Sequence, residues 1–378
     1  MKRLLMIGCL FCLPSVYAAD AGSTAANFLK LGVSPRAIGM GEAHVAVADD
    51  AYATWWNPAG LVQLETPEVA ATYNNYIQQT SQHYIAGVFP QGPLGTFAAS
   101  ANVFSYGTIK GADASGQPTS DIHANDMALA FSYAHPLLQD HRKASHLSFG
   151  LTGKWIREKL DTVSANALAM DAGLHWEAGK SMGEEFEGLR AGFAIKNIGS
   201  AMKFDRESFA LPRTAAAGLA WTGLWLGESI TTALDGEKPQ AGTGFFSGGI
   251  EVWTLRTFVI RGGYTSRGDL GNGLRLGAGI KFQTLEVDYA FSNEGDLGSA
   301  HRVGLNYKFG KKSDEPLVIA ETWYEKGMKD YRRARYTDAL VNFNKALELD
   351  PTHPEALGMM KKTYEQIKAT GMELPSHE

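Results

Sequence analysis

The chain has 378 residues, a formal net charge of −5, 42 glycines and 11% aromatic residues. A negative balance gives no electrostatic drive toward nucleic acid or anionic lipid surfaces, so neither is expected as a partner. The two cysteines, Cys9 and Cys12, lie in a segment expected to be removed, which excludes disulfide, iron–sulfur and cysteine–zinc chemistry from the mature chain.

Residues 1–18 have the form of a secretory signal peptide. Lys2-Arg3 is the charged start, Leu4 to Leu13 the apolar run, and Val16-Tyr17-Ala18 a small-residue cleavage site. Loss of Lys2 and Arg3 makes the mature chain two charges more negative. No later stretch has 18 consecutive apolar residues, so no helical membrane span is expected. An exported, glycine- and aromatic-rich chain is then either a soluble β-rich periplasmic protein or an outer-membrane barrel.

Residues 19–66 read as a segment of their own. Gly39, Gly41, Ala43, Ala46 and Ala48 form a small-residue run that allows close backbone approach. Asp49 and Asp50 are predicted N-caps for a short helix, AYATWW. That helix must stop at Asn57, because the residue before Pro58 is pushed out of the α region. Gly60 is expected to take backbone angles that other residues avoid.

From residue 67 to 310 the period changes to two. In 273–283, Leu274, Leu276, Ala278, Ile280 and Phe282 share one face; Arg275, Gly277, Gly279 and Lys281 share the other. In 285–292, Leu285, Val287, Tyr289 and Phe291 oppose Glu286, Asp288, Ala290 and Ser292. Phe258, Ile260 and Tyr264 oppose Val259, Arg261 and Gly263. Leu168, Met170, Ala172, Leu174 and Trp176 oppose Asp171, Gly173, His175 and Glu177. A soluble sandwich also alternates, but its strands are nearer five or six residues. Long segments, aromatics at their ends, and a second face of glycines and mixed charges predict an all-β transmembrane barrel of about 14 antiparallel strands. Glycine-rich stretches in 98–124 and 222–245 leave the count open by about two. An even count puts both barrel ends, and the tail beyond, on the periplasmic side.

The last segment, 302–309, resembles the signal read by the barrel-insertion machinery, with Arg302, Gly304, Tyr307 and Phe309 at the matching places. The opening segment, AANFLKLGVSPRAIGMGEAHVAVADD followed by Asn57-Pro58-Ala59-Gly60, resembles the PorV/PorQ branch of the FadL-like outer-membrane barrels. The resemblance implies that these four residues belong to an N-terminal hatch folded inside the barrel. It also implies an accessory role toward secreted proteins, in the manner of type IX secretion components. In the wider FadL-like group it implies a channel for hydrophobic small molecules.

After Gly310 the composition shifts, with 23 charged residues in the 68 positions of 311–378 against 50 in the 292 of 19–310. Helical period replaces period two, which marks a small helical domain over 311–378. Trp323, Gly327, Ala339, Phe343, Ala346 and Pro351 have the spacing of a tetratricopeptide repeat. Pro351 is expected to close the second helix, and Thr352 with Glu355 to form a capping box for a third. Lys326 and Asp330 depart from the repeat pattern, and Tyr331 stands one place late. With one repeat present, the tail is expected to lean on the barrel, another copy or a protein partner.

No P-loop, nucleophile-elbow, zincin or calcium-loop spacing occurs, so neither an enzyme nor a cofactor or metal site is expected. The charges predicted to face the lumen are Glu251, Arg261, Arg275, Lys281, Glu286 and Asp288, which could line a conduction path or a binding site, or neutralise one another across strands. Three functions follow: an accessory barrel for secreted proteins with a periplasmic docking tail, a channel for hydrophobic small molecules, or a structural barrel recruiting a periplasmic partner. All three place the chain in the outer membrane of a Gram-negative bacterium, in contact with lipid.

Overall fold

The computed structural model describes residues 24–113, 115–139, 145–178, 186, 188–225, 228–255, 257–267, 271–309, 315–350 and 353–370. The expected signal peptide lies outside them. The chain divides into two compact units after Phe309.

The first unit is a closed barrel. Its early strands are β1 Glu68–Asn75, β2 Ser81–Pro90, β3 Thr96–Ile109, β4 Ile122–Gln139, β5 Ser145–Leu160, β6 Val163–Glu177 and β7 Leu189–Gly199. A small hairpin, β8 Met202–Phe204 and β9 Glu207–Phe209, interrupts the sequence without joining the wall. The wall continues with β10 Thr214–Trp225, β11 Glu228–Pro239, β12 Phe245–Thr254, β13 Phe258–Thr265, β14 Leu274–Phe282, β15 Leu285–Asn293 and β16 Ser299–Lys308. Fourteen antiparallel strands pair with their neighbours in order, and β16 closes on β1 from Glu68↔Lys308 to Asn75↔His301. The Phe309 N–H extends this closure by donating to the Pro67 carbonyl at 2.7 Å. Of the two stretches that left the count open, 98–124 holds the loop between β3 and β4, and 222–245 the loop between β11 and β12.

The alternation runs apolar-out and polar-in. Leu168 and Leu276 are 66% and 60% exposed, whereas Asp171 and Glu251 are each 1% exposed. A soluble fold cannot leave such a belt in water, and hydrocarbon is the solvent that suits it. Among the described residues no helix is long and apolar enough to cross a membrane. The strands do the crossing.

The interior is filled by the chain's own start. Residues 24–64 run through the lumen as a 3-10 turn (Asn27–Lys30), α1 Pro35–Gly39, α2 Ala53–Trp56 and a second 3-10 turn (Pro58–Gln63). Phe28, Ile38, Met40, Trp56 and Leu61 are fully buried, each worth ~1.5–3 kcal/mol of burial. α1 keeps its first turn because Ser34 Oγ accepts from the Ala37 N–H and Pro35 needs no donor there.

The second unit has three helices, α3 Glu315–Arg332, α4 Tyr336–Leu349 and α5 Pro354–Thr370. Ala339, Phe343 and Ala346 are buried on α4, and a side chain at Gly327 would strike the Phe343 ring. Trp323 is half-buried between the ammonium groups of Lys326 and Lys345. Pro351 and Thr352 lie outside the described residues. The expected capping box rests on Thr352 and so lies outside the described residues; at the start of α5, Nδ1 of His353 accepts from the Ala356 N–H. Asp330 accepts from Asn342 Nδ2 at 2.9 Å and pairs with Arg335, tying α3 to α4. The departure from the repeat pattern at Asp330 is thus a structural link.

Candidate functional site

The plug meets the wall through glycines. A Cβ at Gly150 would overlap Pro58, at Gly173 the Asn57 side chain, at Gly192 the Val45 carbonyl, and at Gly249 or Gly263 the backbone of Met40 and Gly41. Five strands therefore carry glycine where the plug passes, because any side chain would push it away. Gly60 belongs to the same class. Its φ is not positive, and its hydrogen stands where a Cβ would overlap the Ala48 carbonyl, so close approach rather than unusual backbone angles requires glycine there.

Asn57, Pro58, Ala59 and Gly60 are all buried in the lumen. Asn57 is extended, with φ −157°, and α2 stops there as the following proline demands. Its Nδ2 donates to the Val45 carbonyl at 2.9 Å and to the Leu174 carbonyl of β6 at 3.0 Å. Its Oδ1 accepts from the Ala59 N–H at 3.2 Å. One side chain thereby joins two passes of the plug to the wall. Ser148 Oγ on β5 donates to the Ala59 carbonyl at 2.9 Å, and His175 Nε2 lies 3.0 Å from the Ala46 carbonyl.

The predicted lumen charges separate into two groups. Arg261 sits between Glu251 (2.6 Å), Glu286 (3.3 Å) and Asp288. Plug residue Arg36 completes this group by donating to both Glu251 oxygens at 2.9 Å and to Asp49 at 2.5 Å. Arg275 stands apart, 3.7 Å from Glu294, and Lys281 is half-buried with its ammonium 6.0 Å from the Trp253 ring. Of the six, Glu251 holds the plug through Arg36, while Arg261, Glu286 and Asp288 neutralise one another across the wall.

Asp49 corrects the capping expectation. It caps nothing: it bridges Arg36 to Arg190 of β7, 3.0 Å away, while Asp50 accepts from the Tyr52 N–H as a local turn. Burial works against the Asp49 charge, but Arg36 and Arg190 hold its carboxyl well below the usual carboxylate range. Trp55 and Trp56 pack against the wall under Lys154 and Lys196, and Trp56 Nε1 donates to the Val33 carbonyl. His44 lies edge-on to Trp56.

Sequence reasoning missed Arg36, Arg190, Asp235 and Glu68. Asp235 accepts from the His44 and Val45 N–H groups, and Glu68 from the Ala51 N–H and Asn306. A signal was present: a lone arginine in a small-residue run, matched to unpaired carboxylates on strand faces turned from lipid. At the barrel's end, Arg302 and Gly304 face inward. Arg302 donates to Ser292 Oγ, and a side chain at Gly304 would strike Pro35. Tyr307 and Phe309 face outward, their rings edge to face at 4.8 Å.

Residues 17–221 match the family described as "Type IX secretion system protein PorV". A "UPF0164 protein" of Treponema pallidum (strain Nichols) is 25% identical over 338 residues, covering 82% of this chain and 76% of that protein. Among solved structures, the "CymD monoaromatic hydrocarbon channel" aligns with a TM-score of 0.50 at 13% identity, over 74% of this chain and 98% of that one. A Pseudomonas aeruginosa FadL homologue aligns with a TM-score of 0.45 at 12% identity, over 74% and 98%. At 13% identity the likeness to the CymD channel speaks for the barrel fold alone.

Proposed function

This chain belongs to the PorV family of type IX secretion system proteins, and on that premise we propose that it is an outer-membrane scaffold that receives or anchors secreted proteins. The observation that carries this reading is the clamp on the plug. Buried ion pairs from Arg36 and Asp49, the Asp235 and Glu68 carboxylates accepting from plug N–H groups, and the Asn57 bridge tie the lumen's filling to strands around the wall. These ties fill the lumen with the chain's own start and stiffen the wall, which suits a scaffold. The competing reading, a channel for hydrophobic small molecules, needs a route past Asn57–Gly60.

In the same reading the termini face the periplasm, and the helical unit is a tetratricopeptide-like docking module. Glu325, Lys329, Arg332 and Arg333 on or just beyond α3 are exposed and would select a partner by charge. Tyr307 and Phe309 supply the outward aromatics that the insertion machinery reads. The test is affinity purification from native outer membranes. Wild type should bring down a secreted protein and a periplasmic partner. Lys329→Glu with Arg333→Glu should keep the first and lose the second. Identical recovery from wild type, the charge reversal and a 311–378 deletion removes the docking role. Unchanged secretion with lost uptake of a hydrophobic solute in a strain lacking the protein favours the channel.

A further inference from the structure

The lipid-facing wall carries a groove of about 670 Å³ over β4, β5 and β6. Its sides are Leu129, Phe131, Trp155, Leu168 and Met170, and its floor is Gly153, where an added Cβ would meet nothing within 4 Å. The floor lies beside a break in register: Met170 pairs with Ile198 but Ala172 with Ile195, and Asn197 in between has φ +61°. Such a bulge bends the strand and opens the outer surface.

The strand register sets the depth of this groove in the membrane. Outward positions on β5 are Leu147, Phe149, Leu151, Gly153 and Trp155, a nine-residue apolar run of the length that crosses hydrocarbon. The next two outward positions are Arg157 and Lys159, both exposed. Arg157 pairs in register with Met127 and Asn166, and Lys159 with Asn125 and Ser164, so the wall turns polar at this level. Trp155 marks the interface, as aromatic girdles do. Glu158 faces the other way, accepting from the Ala26 N–H in the lumen. Among the described residues neither the Arg157 nor the Lys159 side chain has a hydrogen-bond or ion-pair partner. Two unpaired cations thus stand at headgroup level, directly above an apolar groove.

A second lipid-facing groove, of about 420 Å³ beside Tyr73, Ile85, Val303 and Leu305, lacks this feature. The outward positions above it are Asn75, Ser81 and His301, and none is Lys or Arg.

We infer that the β4–β6 groove is a site for one phosphorylated, acylated lipid of the leaflet at the hairpin-loop end, with an acyl chain over Gly153 and the phosphate between Arg157 and Lys159. Guanidinium and ammonium donors give phosphate charge-assisted hydrogen bonds, which are the stronger kind. The chain's net negative charge does not oppose this, because an exposed pair acts within a Debye length. The inference is independent of the secretion reading.

The test uses full-length protein in phosphatidylcholine nanodiscs doped with diphosphoryl lipid A, with the same lipid stripped of phosphate, or with soluble glucosamine phosphate added. Lipid retained on the released barrel is counted by native mass spectrometry. Wild type should retain the diphosphoryl lipid about tenfold over the dephosphorylated one. Arg157→Gln with Lys159→Gln should abolish that preference, and Gly153→Trp should lower retention of both lipids. Gly153→Leu is the substitute if the tryptophan variant loses heat-modifiable migration. Equal retention of both lipids by wild type, or an unchanged preference in the glutamine variant, overturns the proposal. So does equal binding of glucosamine phosphate, which would mean a phosphate site without a groove.

Discussion

The plug and the helical tail are both short segments packed by small residues, yet they are held together in opposite ways. In the tail the key contacts are local: Gly327 against Phe343, and Asp330 to Asn342, twelve residues apart. In the plug they span the chain: Arg36 to Glu251, 215 residues apart, and His44 to Asp235, 191 apart. α2 of the plug has four residues and would not persist alone, since helices shorter than about 12–15 residues are marginal in water. The tail's helices have 18, 14 and 17. One segment brings its own order, and the other takes it from the wall.

Removing the whole plug tests this contrast most severely. Deletion of residues 26–61 should leave a heat-modifiable barrel, because the strand ladder does not use them, and should raise conductance in planar bilayers from a closed to an open level. Unchanged conductance with an intact barrel would mean that the lumen is closed by something else.

Cutting one long-range tie comes next. Arg36→Ala leaves Asp49 and Glu251 short of a buried partner and should cost roughly 3–5 kcal/mol of plug docking, read as protease access to residues near 36 and as channel openings at neutral pH. The pH dependence has a definite sign. Asp49 has a folded pKa below its unfolded value of about 3.9. Its stabilisation is therefore present above that unfolded value and lost only as pH falls through the lower folded one. Wild type should stay closed from about pH 7 to about pH 4. Openings that begin near pH 5 would mean that a tie other than the Asp49 bridge sets the acid limit of the closed state.

The smallest of these effects belongs to the tail. Ala339→Trp overpacks the α3–α4 seam and should cost roughly 1–3 kcal/mol, lowering helicity and exposing the tail to trypsin while barrel migration and conductance stay unchanged. A change in conductance from this variant would break the contrast, since it would make the tail's order a property of the barrel as well.

The barrel was legible in the sequence because period two is a local property: Leu274 to Phe282 announce their face without knowing their neighbours. The helical tail was legible for the same reason, with 3.6 in place of two. Asn57-Pro58 was readable as a helix stop, since proline acts on the residue before it. Asp49 and Gly60 were misread because each was assigned a local duty, a cap and a backbone angle. Their actual neighbours, Arg190 and the Ala48 carbonyl, are brought by the fold.

Alternation and the charge shift at 310 thus followed from the sequence by itself, because each is a property of residues near one another in the chain. Only the tertiary structure decided which carboxylates meet Arg36, which wall glycines pass the plug, and why Arg157 and Lys159 stand unpaired above a groove. Those facts depend on strand register and closure, which bring together positions more than a hundred residues apart.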